Sequence, residues 1–354
     1  ITEASGEREL STTMAFVRCL SMILRDKTLG PRVVPIIPDE CRTFGMEGLF
    51  RQIGIYNPQG QLYEPVDRQQ VMYYKESKSG QLIKEGITEG GAFSYWMAAA
   101  TSYANQDLPM IPFYIFYSMF GFQRTGDFAW AAGDIRARGF ILGATAGRTT
   151  LAGEGLQHQD GQSQLLSSLI PNCVSYDPCY AHELAVIIRH GLVRMTEKEE
   201  DIFFYITLMN ENYSHPGLQK NTEEGIVKGM YLLEKTLDQA KVRIKLLGSG
   251  TILNEVRKAA ASLAEHFQIG ADIFSVTSFS ELRREALSVE RRKYSNPKSK
   301  DQPYVTQCLS ESATPVLAAT DYVRLQAEQI AAFVPNRYHV LGTDGYGRSG
   351  TRAQ

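Results

Sequence analysis

The chain lacks several features that would place it in a specialised class of protein. It has no apolar run of about 18 residues, which excludes an ordinary transmembrane helix. Its formal net charge of −2 argues against general nucleic-acid binding, which requires a basic face. The opening ITEASGEREL is polar and charged, unlike a signal peptide. Because the first residue is not Met, we expect a fragment or a processed chain.

Cysteine and histidine are few and scattered. The five cysteines form no CxxC pair, so we expect reduced thiols in a cytoplasmic protein rather than a disulfide framework or a zinc site. The six histidines contain no HExxH pattern. We therefore predict no metal ligands within this chain.

What is present is an alternation of apolar runs with helical patterns, in 354 residues that suffice for about two domains. We predict an α/β fold with two doubly wound, mostly parallel sheets and helices on both faces. The predicted strands and helices of the first sheet lie at 110–117, 140–147, 169–178 and 202–209, and at 90–104, 126–139 and 179–195. The alternation of strands and helices resumes with a predicted strand at 242–250 and includes helices near 252–266 and 321–333. Residues 281–303 are interpreted only as a charged region.

We place a first domain at 1–215, a polar linker at 216–240 and a second domain at 241–354 that ends without a closing helix. Residues 55–70, rich in Pro, Gly and polar side chains, are expected to form a long loop.

A polar, glycine-rich segment, GEGLQHQDGQSQ at 153–164, directly follows the predicted strand 140–147. In parallel sheets, ligands bind beyond the carboxyl ends of the strands. The segment offers close backbone approach and one titratable side chain, that of His158. We therefore expect a functional site here, although a lone histidine is more often structural.

Three long stretches carry a resemblance to a known family: PDECRTFGMEGLFRQIGIYNPQGQ, EGITEGGAFSYWMAAATSYANQDLPMIPFYIFYSMFGFQRTGD and GRTTLAGEGLQHQDGQSQLLSSLIPNCVSYDP. They resemble the thiamine-diphosphate-dependent decarboxylating component of bacterial pyruvate dehydrogenase complexes, of the homodimeric type. LLGSGTILNEVRKAAASLA and VLGTDGYGRSG resemble its last domain. The resemblance implies a transketolase-like pyrimidine-binding middle domain followed by a transketolase C-terminal-like domain.

The same resemblance implies thiamine diphosphate and Mg²⁺ as cofactors. The family binds the metal and the diphosphate with a GDG…N motif, and the nearest match here, GTDGYGRSG at 342–350, lacks the later Asn. We therefore expect the metal and diphosphate ligands in an N-terminal domain outside this chain. The GSG of residues 248–250 lacks full GxGxxG spacing, and we interpret it as a tight turn rather than a nucleotide site.

The resemblance assigns roles to individual residues. Glu89, in GITE, matches the glutamate that bonds to a pyrimidine ring nitrogen of the cofactor and promotes removal of the thiazolium proton. Phe120 matches the aromatic that stacks on the pyrimidine, and Tyr117 a hydrogen-bond donor near the substrate. His158 matches the loop histidine that assists proton movement or transfer to the lipoyl group, and Glu40 a carboxylate on the substrate side.

Without the resemblance, the same residues also allow purely structural interpretations. Glu89 fits a first-turn glutamate favoured by the helix dipole, with Thr88 as cap. Phe120 fits an apolar core, and Tyr117 fits a buried tyrosine whose hydroxyl is hydrogen-bonded. Glu154 and Asp160 are expected to shape the loop, and Asp39 to be only a cap. The resemblance implies that Asp67 belongs to a mobile loop over the cofactor, whereas the residues alone fit an ordinary surface turn. Gln162 and Gln164 replace two family histidines, so we expect an altered pH dependence.

The resemblance predicts a pyruvate dehydrogenase (acetyl-transferring) acting on pyruvate, with the lipoyl domain of a dihydrolipoyl acetyltransferase as partner. It also predicts a cytoplasmic homodimer that binds neither nucleic acid nor membrane. One alternative is an inactive fragment or dimerisation module lacking the diphosphate-binding domain. A weaker alternative is another enzyme of the transketolase superfamily, although the chain shows no obvious basic cluster for a sugar phosphate.

Overall fold

The computed structural model describes residues 1–39, 41–149, 151 and 155–348. Within these residues, the first lobe contains eight strands: β1 Val33–Ile37, β2 Ile55–Tyr56, β3 Glu76–Ser77, β4 Ile83–Lys84, β5 Ile111–Phe116, β6 Phe140–Gly143, β7 Cys173–Tyr176 and β8 Phe203–Thr207. Its α-helices are α1 Thr12–Ile23, α2 Gly48–Gln52, α3 Glu89–Ala100, α4 Ser102–Asn105, α5 Phe122–Asp134, α6 Ser163–Ser168 and α7 Ala181–Leu192. Short 3-10 turns occupy Gly30–Arg32, Ser118–Phe120 and Leu156–His158, and a π-helical turn, Val193–Glu197, extends α7.

The second lobe follows in the order α8 Glu223–Lys228, β9 Met230–Thr236, β10 Val242–Gly248, α9 Ile252–Phe267, β11 Ile269–Val276, α10 Phe279–Ser295, α11 Tyr304–Leu309, β12 Val316–Ala319, α12 Leu325–Glu328, a 3-10 turn Ala331–Phe333 and β13 Tyr338–Leu341.

The main sheet of the first lobe is wholly parallel, in the order β4-β1-β5-β6-β8-β7. The strands β5, β6, β7 and β8 are buried at every position, as continuous apolar runs require when both faces of a sheet are covered. A separate parallel pair, β2 with β3, lies in the segment around the expected long loop.

The second sheet has the order β13-β12-β10-β11-β9, with β9 antiparallel to β11 and the other pairs parallel. Together the two sheets confirm the predicted fold class. A continuous apolar cluster runs from Leu10 and Phe16 in the first lobe to Ala271 and Ile273 in the second, and therefore joins the lobes.

Local sequence explains several helix boundaries. Ser11 caps α1 by accepting the N–H of Met14 at 3.1 Å, and Thr88 caps α3 by accepting the N–H of Gly91 at 3.2 Å. The structure also differs from three expectations. The charged region 281–303 contains the long helix α10, the predicted helix 321–333 is limited to α12 and one 3-10 turn, and the expected linker 216–240 contains α8 and β9.

The α10 helix was not predicted because its many charged residues obscure the helical spacing of a narrow apolar stripe. Leu282, Ala286 and Val289 recur at helical spacing and are all buried. The edge strand β9 follows Gly229, whose left-handed backbone (φ 109°) ends α8 and lets the chain turn directly into the sheet.

Candidate active site

A cleft of about 290 Å³ opens at the carboxyl ends of β1 and β5. It is lined by Pro38, Asp39, Phe44, Ile87, Glu89, Phe116, Tyr117, Phe120, Arg124, Gln157 and His158. Four of the five predicted catalytic or cofactor-binding residues meet in this cleft. The fifth, Glu40, lies outside the described residues, as does Glu154, and its role stays a prediction.

Glu89 enters the cleft as the first residue of α3. Its side chain is 13% exposed, and its carboxylate oxygens accept hydrogen bonds of 3.0 and 3.1 Å from Arg124 Nη1. The Arg124 guanidinium also lies over the Phe120 ring, 4.1 Å from the centroid, within cation–π range. Arg124 therefore links the predicted carboxyl group to the predicted stacking ring. Sequence reasoning missed this residue although it stands four positions after Phe120.

Phe120 ends the 3-10 turn that follows β5. This turn requires glycine at position 121, because an added Cβ there would come within 2.0 Å of the Phe116 ring. The turn brings the aromatic rings together, with centroid distances of 6.1 Å between Tyr117 and Phe120 and 5.6 Å between Phe120 and His158. The cleft wall is therefore aromatic, as a flat apolar ring system would require.

His158 ends the 3-10 turn Leu156–His158 of the glycine-rich segment. Its ring contacts Tyr117 edge-to-face at a centroid distance of 4.9 Å. Its Nδ1 is buried and makes no hydrogen bond within the described part of the chain. Since buried polar atoms are normally paired, this nitrogen is a candidate to contact a bound molecule.

Other residues of the loop have structural roles. Asp160 is fully buried, and its Oδ1 accepts the N–H groups of Gln162 and Ser163 at 3.0 and 2.9 Å, at the start of α6. Gln164 is buried and donates to Tyr176 O and Thr207 Oγ1, both at 2.9 Å. This amide therefore bonds to the ends of β7 and β8 rather than to the cleft.

The remaining predicted acids lie at the edge of the site. Asp39 lines the cleft and pairs with Lys84 at 3.0 Å, so it joins the ends of β1 and β4. Asp67 pairs with Arg42 and accepts the N–H of Tyr74 at 3.0 Å. In this structure Asp67 therefore ties its own loop together and does not reach the cleft.

Burial shapes the titration of groups near the site. It raises the pKa of Tyr114, with a smaller contribution from the Glu89 charge, so the hydroxyl stays protonated and donates to the Glu89 carbonyl at 3.2 Å. Burial also raises the pKa of the Cys41 thiol to about 12, which makes a thiolate nucleophile at this position unfavourable. Among the described residues, no cluster of His, Cys, Asp or Glu has the size needed to hold a metal ion. No described helix is long and apolar enough to cross a membrane.

The fold and the cleft define an α/β protein of the transketolase-like class. Residues 229–354 match the family model of the transketolase-like C-terminal domain, and residues 1–216 match that of the pyruvate dehydrogenase E1 component middle domain. Because the match to the middle-domain model, over residues 1–216, covers more than half of the sequence, the chain belongs to the pyruvate dehydrogenase E1 component family.

Individual relatives agree with this assignment. The chain is 62% identical to the pyruvate dehydrogenase E1 component of Pseudomonas aeruginosa over 99% of its own length and 40% of that protein. It thus spans about two fifths of the length of the curated relatives it matches.

Solved structures show the same fold at low identity. Transketolase from Campylobacter jejuni superposes with a TM-score of 0.70 at 16% identity, covering 98% of this chain and 44% of that one. A structure described as "Split gene transketolase, inactive beta4 tetramer" superposes with a TM-score of 0.62 at 15% identity, covering 96% of this chain and 91% of that one.

Proposed function

We propose that this chain forms the pyrimidine-binding part of a thiamine-diphosphate-dependent pyruvate dehydrogenase. The complete enzyme would decarboxylate pyruvate and pass the acetyl group to the lipoyl group of a dihydrolipoyl acetyltransferase. The observation that supports this most strongly is the convergence of Glu89, Phe120, Tyr117 and His158 on one cleft. Membership of the family gives further support to the proposal. It is needed because a shared fold alone does not specify a reaction.

The residues of the cleft fit the pyrimidine end of thiamine diphosphate. An aromatic face, a carboxylate beside it and a buried ring nitrogen that has no partner among the described residues are what a flat, polar-edged heterocycle requires. Held by Glu89 and Phe120, the cofactor would supply a nucleophilic carbon and an electron sink for the decarboxylation of pyruvate.

Each side chain contributes to binding or to proton control. Glu89 would hydrogen-bond to a pyrimidine ring nitrogen and hold its proton, a role that requires Arg124 to share or release the carboxylate. The Phe120 ring would stack on the heterocycle and exclude water. His158 would hold or move a proton at Nδ1, and the Tyr117 hydroxyl would donate to the carboxylate or keto oxygen of pyruvate.

The proposal assigns the Mg²⁺ and diphosphate ligands to a further domain and the complete site to a dimer interface. It is tested by mixing the chain with a polypeptide that carries the GDG…N segment and titrating thiamine diphosphate by calorimetry. Binding heat together with pyruvate-dependent acetylation of a lipoyl domain is the expected result. Binding without acetyl transfer from pyruvate would contradict the proposed reaction.

A non-catalytic assembly module is the second candidate. One observation favours it: a solved structure of similar extent is described as an inactive tetramer. In the same titration, a module would associate with its partner polypeptide without binding heat for the cofactor. Sedimentation of the mixture separates this outcome from a simple failure of the two parts to associate.

A further inference from the structure

We propose that Asp321, in the second lobe, is the positioning residue for the loop that carries His158; this inference rests on the catalytic role proposed for that histidine. Asp321 lies two residues beyond β12 and is 1% exposed. Its Oδ2 accepts the N–H of Arg148 at 2.7 Å, and its Oδ1 accepts the N–H and Oγ1–H of Thr149 at 2.9 and 2.6 Å. At least three charge-assisted bonds between described residues thus fix the start of the loop.

The end of the loop is attached to the same segment of the second lobe. The N–H of Val323 donates to the carbonyl of Gly161 at 3.0 Å. The buried Arg148 side chain lies against Gly161, where an added Cβ would come within 2.3 Å of the guanidinium carbon, and donates to the carbonyl of Thr343. The segment around 321–343 therefore fixes both ends of the loop.

His158 depends on these attachments because its own ring supplies little restraint. Nδ1 lacks a hydrogen-bond partner within the described residues, and the backbone N–H bonds only locally, to Gly155 O at 3.0 Å. Ring contacts with Tyr117 and Phe120 limit the ring but do not fix its depth in the cleft. A displacement of about 1 Å at a reacting group can cost up to about 100-fold in rate, so the loop anchors have kinetic consequences.

The decisive test is a double-mutant cycle in the complete enzyme that contains this chain. Asp321→Asn keeps the shape of the side chain but replaces one acceptor by a donor that faces the N–H groups of the loop. We expect kcat to fall about tenfold or more, with KM for pyruvate changed less than about twofold. In a His158→Ala background, Asp321→Asn should lower kcat less than about twofold, because its effect acts through His158.

A second measurement does not depend on catalysis. Amide hydrogen exchange of the chain itself should become faster at Arg148 and Thr149 in Asp321→Asn. The matched control is Asp272→Asn, which removes an acid of the same sheet that pairs with Arg243 at 2.6 Å and should leave exchange in the loop unchanged. If the proposed function is wrong, kcat is absent in every variant while the exchange result still stands.

Two outcomes would overturn the inference: an equal loss of kcat with and without His158, or unchanged exchange at Arg148 and Thr149. Should Asp321→Asn fail to fold, Thr149→Val removes one of the three bonds at nearly constant volume. It is then carried through the same cycle, with a proportionally smaller loss expected and the same two outcomes counting against the inference.

Discussion

Glu89 and Glu183 both stand at the start of a helix, but their environments are opposite. Glu89 lies in the cleft. Glu183 lies at the contact between the two lobes, called the seam below, where it meets Tyr231 and Ser275. Glu183 is fully buried at the start of α7 and accepts four hydrogen bonds, two from the backbone of Cys179 and Tyr180 and two across the seam from Tyr231 and Ser275, at 2.5–3.0 Å. Glu89 is partly exposed and pairs with Arg124, a side chain that is itself 53% exposed.

This difference distinguishes a carboxylate that serves the fold, that of Glu183, from one that can bind a ligand, that of Glu89. Oε2 of Glu183 accepts two bonds from the first lobe and Oε1 accepts two from the second, so the carboxylate holds the lobes together and has little capacity left for a ligand. Among the described residues, the Glu89 carboxylate is held by Arg124, whose half-exposed side chain can move aside at modest cost because ion pairs that reach solvent contribute little to stability. The two acids should therefore respond to mutation in opposite ways.

The largest expected effect concerns activity at Glu89. In the complete enzyme, Glu89→Gln should lower pyruvate decarboxylation by about 100-fold or more, since positioned proton transfer contributes on that scale. The free energy of unfolding should change by less than about 1 kcal/mol. The matched control, Glu255→Gln, changes another first-turn glutamate, paired with Lys258 at 3.0 Å, and should keep full activity. Near-normal decarboxylation by Glu89→Gln would remove its role in proton control.

The next effect concerns stability at Glu183. Glu183→Ala leaves four buried donors without their acceptor and should lower the free energy of unfolding by about 3 kcal/mol or more. Urea denaturation of the chain measures it, and the change at Glu89 serves as the comparison. If both variants lost the same stability, the distinction between cleft and seam would not hold.

A third effect depends on pH and concerns Asp177, also at the seam. Burial raises the pKa of this carboxyl group from 3.8 to about 7, although Thr207 donates to it at 2.7 Å. A raised folded-state pKa stabilises the fold below pH 3.8, and this contribution is lost as the pH rises through about 7. Asp177→Asn does not titrate, so its stability relative to the parent should rise by about 2 kcal/mol between about pH 5 and 8.

Urea denaturation of both proteins across this pH range provides the measurement. A stability difference that does not vary with pH would show that Asp177 has an ordinary pKa in the folded chain.

The smallest effect is expected at Arg124. Arg124→Met removes the partner of Glu89 and the cation over Phe120 but should change the free energy of unfolding by less than about 1 kcal/mol, because the pair is partly exposed. The same variant in the Glu89→Gln background gives the coupling energy of the pair. A coupling above about 2 kcal/mol would make the pair structural and would erase its contrast with Glu183.

Much of the architecture was predictable because it depends on local patterns. The strands β5 and β8 are continuous apolar runs, and such runs indicate strands buried on both faces whatever their neighbours. The cap Thr88 is likewise readable from the sequence, since its side chain bonds to the N–H of Gly91 three residues later.

The candidate site was predictable only in part. The resemblance around Phe120 predicted an aromatic ring in the cleft, where the structure has it, but nothing local showed that Arg124 would bond to Glu89 across 35 positions. Gln164 stands in the polar loop, yet its amide bonds to the strand ends rather than to the cleft, because the start of α6 directs it inward.

Local patterns in the sequence determined most strands and several helix starts, because periodicity and capping act within a few residues of the chain. Which residues approach the cleft was implied by the family resemblance and not by those patterns. Tertiary structure alone decided that Asp321 bonds to the His158 loop and that Glu183 joins the lobes. The first contact joins residues 173 positions apart in the sequence, and the second joins residues 92 positions apart. Residues so far apart in sequence meet here because the two sheets share one apolar core.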